Sequence, residues 1–135
     1  MIVTAAQQSF YEASAQVIPV LLLVLAVEMA RYRAPREPVW VAYSFLGGVL
    51  GMILGEVAAL AALAEGSDSF VTASFTAGGI GIGVNAVFMR AGLLTRDNLR
   101  IEHSAAVADR FEFVITLVSA VVALGVTGTL LLVAA

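Results

Sequence analysis

Four predominantly apolar stretches, roughly Phe10–Tyr32, Val39–Ala64, Phe70–Met89 and Phe111–Val133, make up most of the chain and leave only short polar segments between them. Each is long enough to cross about 30 Å of hydrocarbon at ~1.5 Å per residue. A water-soluble core cannot hide four such runs in one small domain. With 61% hydrophobic and only 13% charged residues, the composition also lies well outside that of ordinary soluble proteins. The expected fold is an all-α integral membrane protein, a bundle of four transmembrane helices forming a single domain over residues 1–135. The spans use nearly the whole chain, so no separate catalytic domain is expected.

The breaks between the runs have local causes. Pro35 and Pro38 in "RYRAPREP" stop helix continuation, and "EGSDS" (65–69) is a polar turn whose Ser or Asp can cap the third helix. Pro19 falls inside the first span, where it is expected to kink the helix without ending it. Neither Gly nor Pro occurs between Gly92 and Gly125, so the fourth helix is expected to begin near Thr95 and extend into the cytoplasm before entering the membrane. On that extension Asp97 and Arg100, at i and i+3, are placed to pair.

Orientation follows from the cations. All seven basic residues are Arg: Arg31, Arg33 and Arg36 lie between the first two spans, and Arg90, Arg96, Arg100 and Arg110 between the last two. The positive-inside bias then puts both Arg-bearing connections in the cytoplasm and both termini outside, in a plasma (bacterial inner) membrane. The first span lacks a positively charged n-region and a small-x-small cleavage site, and it is expected to be retained.

Small and polar residues inside the spans are the candidates for function. Gly47, Gly51 and Gly55 recur every four residues along one side of the second helix, where they allow another backbone to approach closely. Gly79 and Gly83 do the same on the third, with Gly78, Gly81 and Asn85 on another side and Phe70, Ala77, Ile80, Val84 and Phe88 on the side expected to face lipid. Glu56 points roughly 140° away from the middle of the Gly47–Gly55 strip, so one neighbouring helix cannot easily serve both. The second and third spans thus each have two protein-facing sides, which favours a homo-oligomer with the second or third span at the interface.

Counting from span midpoints at 1.5 Å per residue, Glu56 lies ~7 Å toward the outside, level with Gln16, Thr76 and Thr127. Glu28, Ser44, Asn85 and Ser119 form a second level roughly 6–11 Å toward the cytoplasm. Glu56, Asn85, Glu28, Gln16 and Thr76 are therefore the candidates for an ion or proton pathway. An intramembrane carboxylate costs at least ~2.5–3.5 kcal/mol on insertion scales, so Glu56 is expected there as a neutral, hydrogen-bonding acid unless it is paired or wetted. Glu28 can pair with Arg31 one turn away.

Other chemistries lack their residues. The chain has no Cys and one His, so disulfides, thiolate metal sites and a His-dependent triad within the spans are not expected. "GGIGIG" (78–83) has no preceding strand, which removes a dinucleotide reading. A net charge of −3 with no basic block gives no reason to expect nucleic acid. The chain is not expected to be an enzyme, nor to hold a cofactor or metal. "LAVEMA" (25–30) resembles the small multidrug transporters in placing a carboxylate in the first span, but Glu28 lies near the cytoplasmic end and no further motif matches, so no family is assigned. The leading expectation is a homo-oligomeric channel or pore lined by the polar levels. An accessory subunit of a larger membrane complex, or a small secondary transporter, stands as the alternative.

Overall fold

The structure, a computed structural model, describes residues 4–31, 39–66 and 69–135. Four helices account for almost all of them: α1 Ala5–Arg31, α2 Val39–Glu65, α3 Phe70–Glu102 and α4 Ala105–Ala134. All four are long and apolar enough to cross a membrane. α1 runs through Pro19 as one helix. Pro35 and Pro38, Arg33 and Arg36, and Ser67 and Asp68 lie outside the described residues.

The α2–α3 turn is built by local chemistry. Gly66 follows α2 with φ +59°, the left-handed conformation that ends a helix at low steric cost when the residue is Gly. Ser69 then caps α3: its Oγ accepts the Thr72 N–H at 3.1 Å, and Thr72 Oγ1 accepts the Ser69 N–H at 3.0 Å. Thr stands here where a capping box usually has Glu or Gln.

The other end departs from expectation. The extension beyond the apolar spans is shared between α3 and α4, because the chain reverses at His103–Ser104. The last helical bond of α3 there runs from His103 N–H to Leu99 O at 2.9 Å, and Ser104 Oγ accepts the Val107 N–H at 3.3 Å to cap α4. A serine competing for backbone N–H groups thus breaks a stretch, between Gly92 and Gly125, that lacks both Gly and Pro. The break also rearranges the ion pairs. Arg100 reaches across the hairpin to Asp109 (3.1 Å) instead of pairing with Asp97. Arg96 binds both Asp97 (2.8 Å) and Glu112 (2.9 Å). The exposed Arg100–Asp109 pair contributes little; Arg96, 12% exposed, ties the two helices more firmly.

α3 is the centre of the bundle. It packs against all three other helices, while α2 and α4 flank it without packing on each other. α1 lies against α2 and α3 and is tied near its N-terminal end, where Gln7 Nε2 donates to Ala134 O at 3.2 Å and the Tyr11 hydroxyl lies 3.4 Å from Thr72 Oγ1. The core is two clusters, one around Phe10, Tyr11, Ala59, Ala77 and Ala134, the other around Ile18, Leu25, Met52 and Ile80. Ala77 and Ile80 were expected to face lipid and are buried instead, because a helix with neighbours on three sides keeps no broad lipid face. The outer surface is aliphatic, with Leu23 64%, Leu124 73% and Leu132 80% exposed, as suits a hydrocarbon surround.

The glycine strip of α2 is used within the chain. A Cβ on Gly55 would stand 2.9 Å from Gly79 Cα and 3.0 Å from Phe75 O, so the two backbones touch. A Cβ on Gly51 would lie 2.9 Å from Ile82 Cδ1, the movable end of a side chain, and one on Gly47 would meet nothing within 4 Å. Gly83 accommodates Met52 and Leu21. A graded series follows. Gly55→Ala should cost about 1–3 kcal/mol by overpacking. Gly51→Ala should cost less, and Gly47→Ala should be neutral or stabilising by up to ~1 kcal/mol through helix propensity. Thermal unfolding in mild detergent reads the order, and equal losses at 55 and 47 would contradict the packing.

Candidate functional site

Between α2, α3 and α4, toward the α3–α4 hairpin, the bundle leaves a cavity of about 520 Å³. Its origin is the size of the residues around it. Gly48, Ala86, Ala120 and Ala42 are too small to fill the gap between α2 and α4, whose backbones do not approach each other among the described residues. α3 and α4 are clamped on either side of it: a Cβ on Gly81 would overlap the Thr127 hydroxyl, and one on Gly92 would run into Ile115. The result is a groove with α3 as its floor and α2 and α4 as its walls.

Five polar side chains line the groove: Ser44 from α2, Asn85 and Arg90 from α3, Thr116 and Ser119 from α4. The α4 hydroxyls are tied to their own helix, Thr116 Oγ1 donating to Glu112 O at 2.7 Å and Ser119 Oγ to Thr116 O at 2.9 Å. They keep their lone pairs for a ligand. Asn85 is half-buried. Arg90 is only 8% exposed. Arg96 and Glu112 pair at equal distance from Ser104, eight residues on either side, so their depths match. By the same count Arg90 lies within one residue of the level of Ser119 and ~9 Å further into the bundle than Arg96.

Sequence reasoning gathers part of this site and misses its charge. Ser44, Asn85 and Ser119, expected at one level on three helices, do line one cavity. Glu28 is half-buried on α1 and is not among the lining residues, and the side chain of Arg31, its expected partner, lies outside those described. Arg90 was placed in a connecting loop; it sits inside α3 and lines the groove. The signal was present in "MRAGLL", where apolar sequence resumes immediately after the arginine.

The outer level does not assemble into a path. Gln16 is exposed, Thr127 packs over Gly81, and Thr76 is fully buried with its hydroxyl donating to Gly55 O at 3.5 Å. The two threonines therefore serve the helix contacts. Glu56 is half-buried, and its Oε2 is buried with no hydrogen-bond partner among the described residues. It sits between Met52 and Ala59 on the flank of the buried face of α2. His103 is exposed at the hairpin, and among the described residues no three His, Cys, Asp or Glu side chains come together for a metal.

Glu56→Gln keeps the shape and removes the ionisable group. Breaking a buried ion pair costs about 3–5 kcal/mol, so with no partner for Oε2 the substitution should leave thermal stability in detergent unchanged or raised. A large drop in Tm would show an ionic partner for Glu56. Set beside protein-family models, curated proteins and solved structures, the chain finds no match.

Proposed function

We propose that this chain is a small carrier of the plasma (inner) membrane, with both termini outside and a ligand vestibule in its cytoplasmic half. The observation that carries it is the groove of about 520 Å³, lined by polar groups from three helices and by a buried arginine. Its volume lies within the ~300–1,000 Å³ usual for small-ligand sites. Toward the termini the glycine contacts at Gly55–Gly79 and Gly81–Thr127 leave little space between the helices, so the groove ends partway along the bundle. A half-open vestibule under a tight seal is the arrangement alternating access needs. The orientation is supported by Arg90, Arg96, Arg100 and Arg110, which all sit toward the α3–α4 hairpin end.

The chain contains no Cys, so single-cysteine variants report access without interference. Thr116→Cys, an exposed position in the groove, should react with a membrane-impermeant thiol reagent from the cytoplasmic face of inverted vesicles, and not from outside intact cells. Thr127→Cys, under the seal, should stay unreactive from both. Equal reaction of Thr116→Cys from the two sides would mean a continuous pore and no seal, and no reaction from either would remove the vestibule.

A pore formed by several copies is the second reading. Its original support is reduced, because Gly51, Gly55, Gly79 and Gly83 already have partners inside the chain. What favours it is a different set: Gly47, Gly78, Gly125 and Gly128 have nothing within 4 Å of where a Cβ would stand. If copies meet through these glycines, Gly128→Leu should dissociate an oligomer seen in native mass spectrometry and by single-molecule photobleaching in lipid. A monomeric wild type ends this reading.

A further inference from the structure

We infer that Glu56 of α2 and the backbone of α1 at Pro19 form a proton-binding site, and that the bound proton holds α1 against α2. The site uses nothing from the groove, so it stands or falls apart from the carrier reading.

Two acceptors without a donor carry it. Glu56 Oε2 is buried with no hydrogen-bond partner among the described residues. Across the helix contact, α1 runs unbroken through Pro19, which has no N–H. The carbonyl four residues earlier, on Ala15, therefore lacks the donor its helix would supply. Polar groups left like this inside a protein cost free energy comparable to a lost hydrogen bond.

The packing puts the two on facing sides. On α2, Met52, Glu56, Ala59 and Leu63 recur at helical spacing, and Met52, Ala59 and Leu63 all belong to the clusters shared with α1. On α1, Ala15 packs against the cluster that holds Ala59. Level is set by Ile18, whose Cδ1 would lie 3.4 Å from a Cβ on Gly55. Counted from that contact toward the α2–α3 turn, Ala15 is three residues away and Glu56 one. Their levels differ by ~3 Å, and the Ala15 carbonyl points along α1 toward the level of Glu56.

An ionised carboxylate only accepts hydrogen bonds, whereas the neutral acid carries one O–H donor. A single proton on Glu56 therefore turns two opposed acceptors into a donor–acceptor pair. No other titratable side chain competes at this level among the described residues. On α1, Glu12 and Tyr11 lie ~7–9 Å nearer the turn and Glu28 ~16 Å the other way, with Arg31 beyond it. On α2, Tyr43 and Glu65 are more than two turns away. α3 has none from Phe70 to Met89, and α4 none after Glu112. Gly55, next to Glu56, is one half of the backbone contact with Gly79. Proton loss sets a charge against a carbonyl beside that contact and releases α1 from α2. By linkage, separating the two helices expels the proton.

Infrared spectra of the full chain in an ester-free detergent read the proton directly, because a neutral carboxyl has a C=O band apart from carboxylate and amide bands. At neutral pH the wild type should show that band, and Glu56→Gln should lose it. Pro19→Ala restores a donor to the Ala15 carbonyl, so the band should stay but shift. The helix contact has its own readout, since the chain has no Cys. Ile18→Cys, at a fully buried position between the helices, should react faster with a thiol reagent as the pH rises, several-fold beyond the thiolate's own increase. The same series in Ile18→Cys combined with Glu56→Gln, whose amide keeps a permanent donor, should follow the thiolate alone. No carboxyl band at neutral pH, a band kept in Glu56→Gln, a band unmoved by Pro19→Ala, or equal pH series in the two cysteine variants would overturn the inference. So would loss of the band on adding sodium at fixed pH, which would make the ligand a metal cation. None of these results bears on Thr116→Cys, which tests the groove alone.

Discussion

Gly55 and Gly79 stand so close that a Cβ on Gly55 would lie 2.9 Å from Gly79 Cα, and the positions of the other helices follow from that contact. Lipid tails are as apolar as leucine, so no hydrophobic force drives one span onto another; contact has to come from close packing and a few hydrogen bonds. Removing two side chains at one crossing lets the backbones of α2 and α3 meet and lets Thr76 donate to Gly55 O. α3 repeats the device elsewhere on its circumference. Gly83 takes Met52 and Leu21, Gly81 takes Thr127, and Gly92 takes Ile115. One helix thereby receives three neighbours, which is why residues such as Ala77 and Ile80 are buried rather than turned to lipid.

Close packing at these points also produces the gap between them. α2 and α4 are held on separate sides of α3, and their backbones do not approach each other among the described residues. Where a glycine faces a backbone or a bulky side chain the space is filled. Where Gly48, Ala86 and Ala120 face the separation between α2 and α4, it is not. An empty apolar cavity of this size would forfeit dispersion contacts over its whole lining. A lined, partly polar groove open at one side can be occupied by lipid or ligand. The cavity is therefore a direct consequence of using glycine contacts to place α2 and α4.

The number of helices and most of their boundaries were legible because apolar run length and Pro, Gly and Ser signals act locally. Ser69 capped α3 as "EGSDS" implied. Small residues were legible as contact residues, but not whose contact they made. Periodicity shows that Gly51 and Gly55 share a side of α2, and it cannot show that the side belongs to α3 of the same chain. Two features were lost for different reasons. The break at His103–Ser104 uses a serine cap alone, which is weak against an otherwise unbroken helical pattern. Of the inner polar level, Ser44, Asn85 and Ser119 line one cavity while Glu28 on α1 does not, and the outer level is dispersed, because equal depth does not imply a shared side of the bundle.

Arg90 shows how one residue can serve two descriptions. Counted as a topological signal, it favours the cytoplasmic side whether it lies in a loop or a turn and a half below one, since positive charge near a span end biases orientation either way. The orientation proposed from seven arginines therefore survives its relocation into α3. As a packing residue it is anomalous. Met89 and Leu93, on the same stretch of α3, line the groove with apolar groups, and an apolar residue at 90 would close the floor without desolvating a charge. What the groove supplies at that depth is company for a polar side chain: Ser44 from α2, Asn85 from α3 and Thr116 and Ser119 from α4 line the same cavity as the guanidinium.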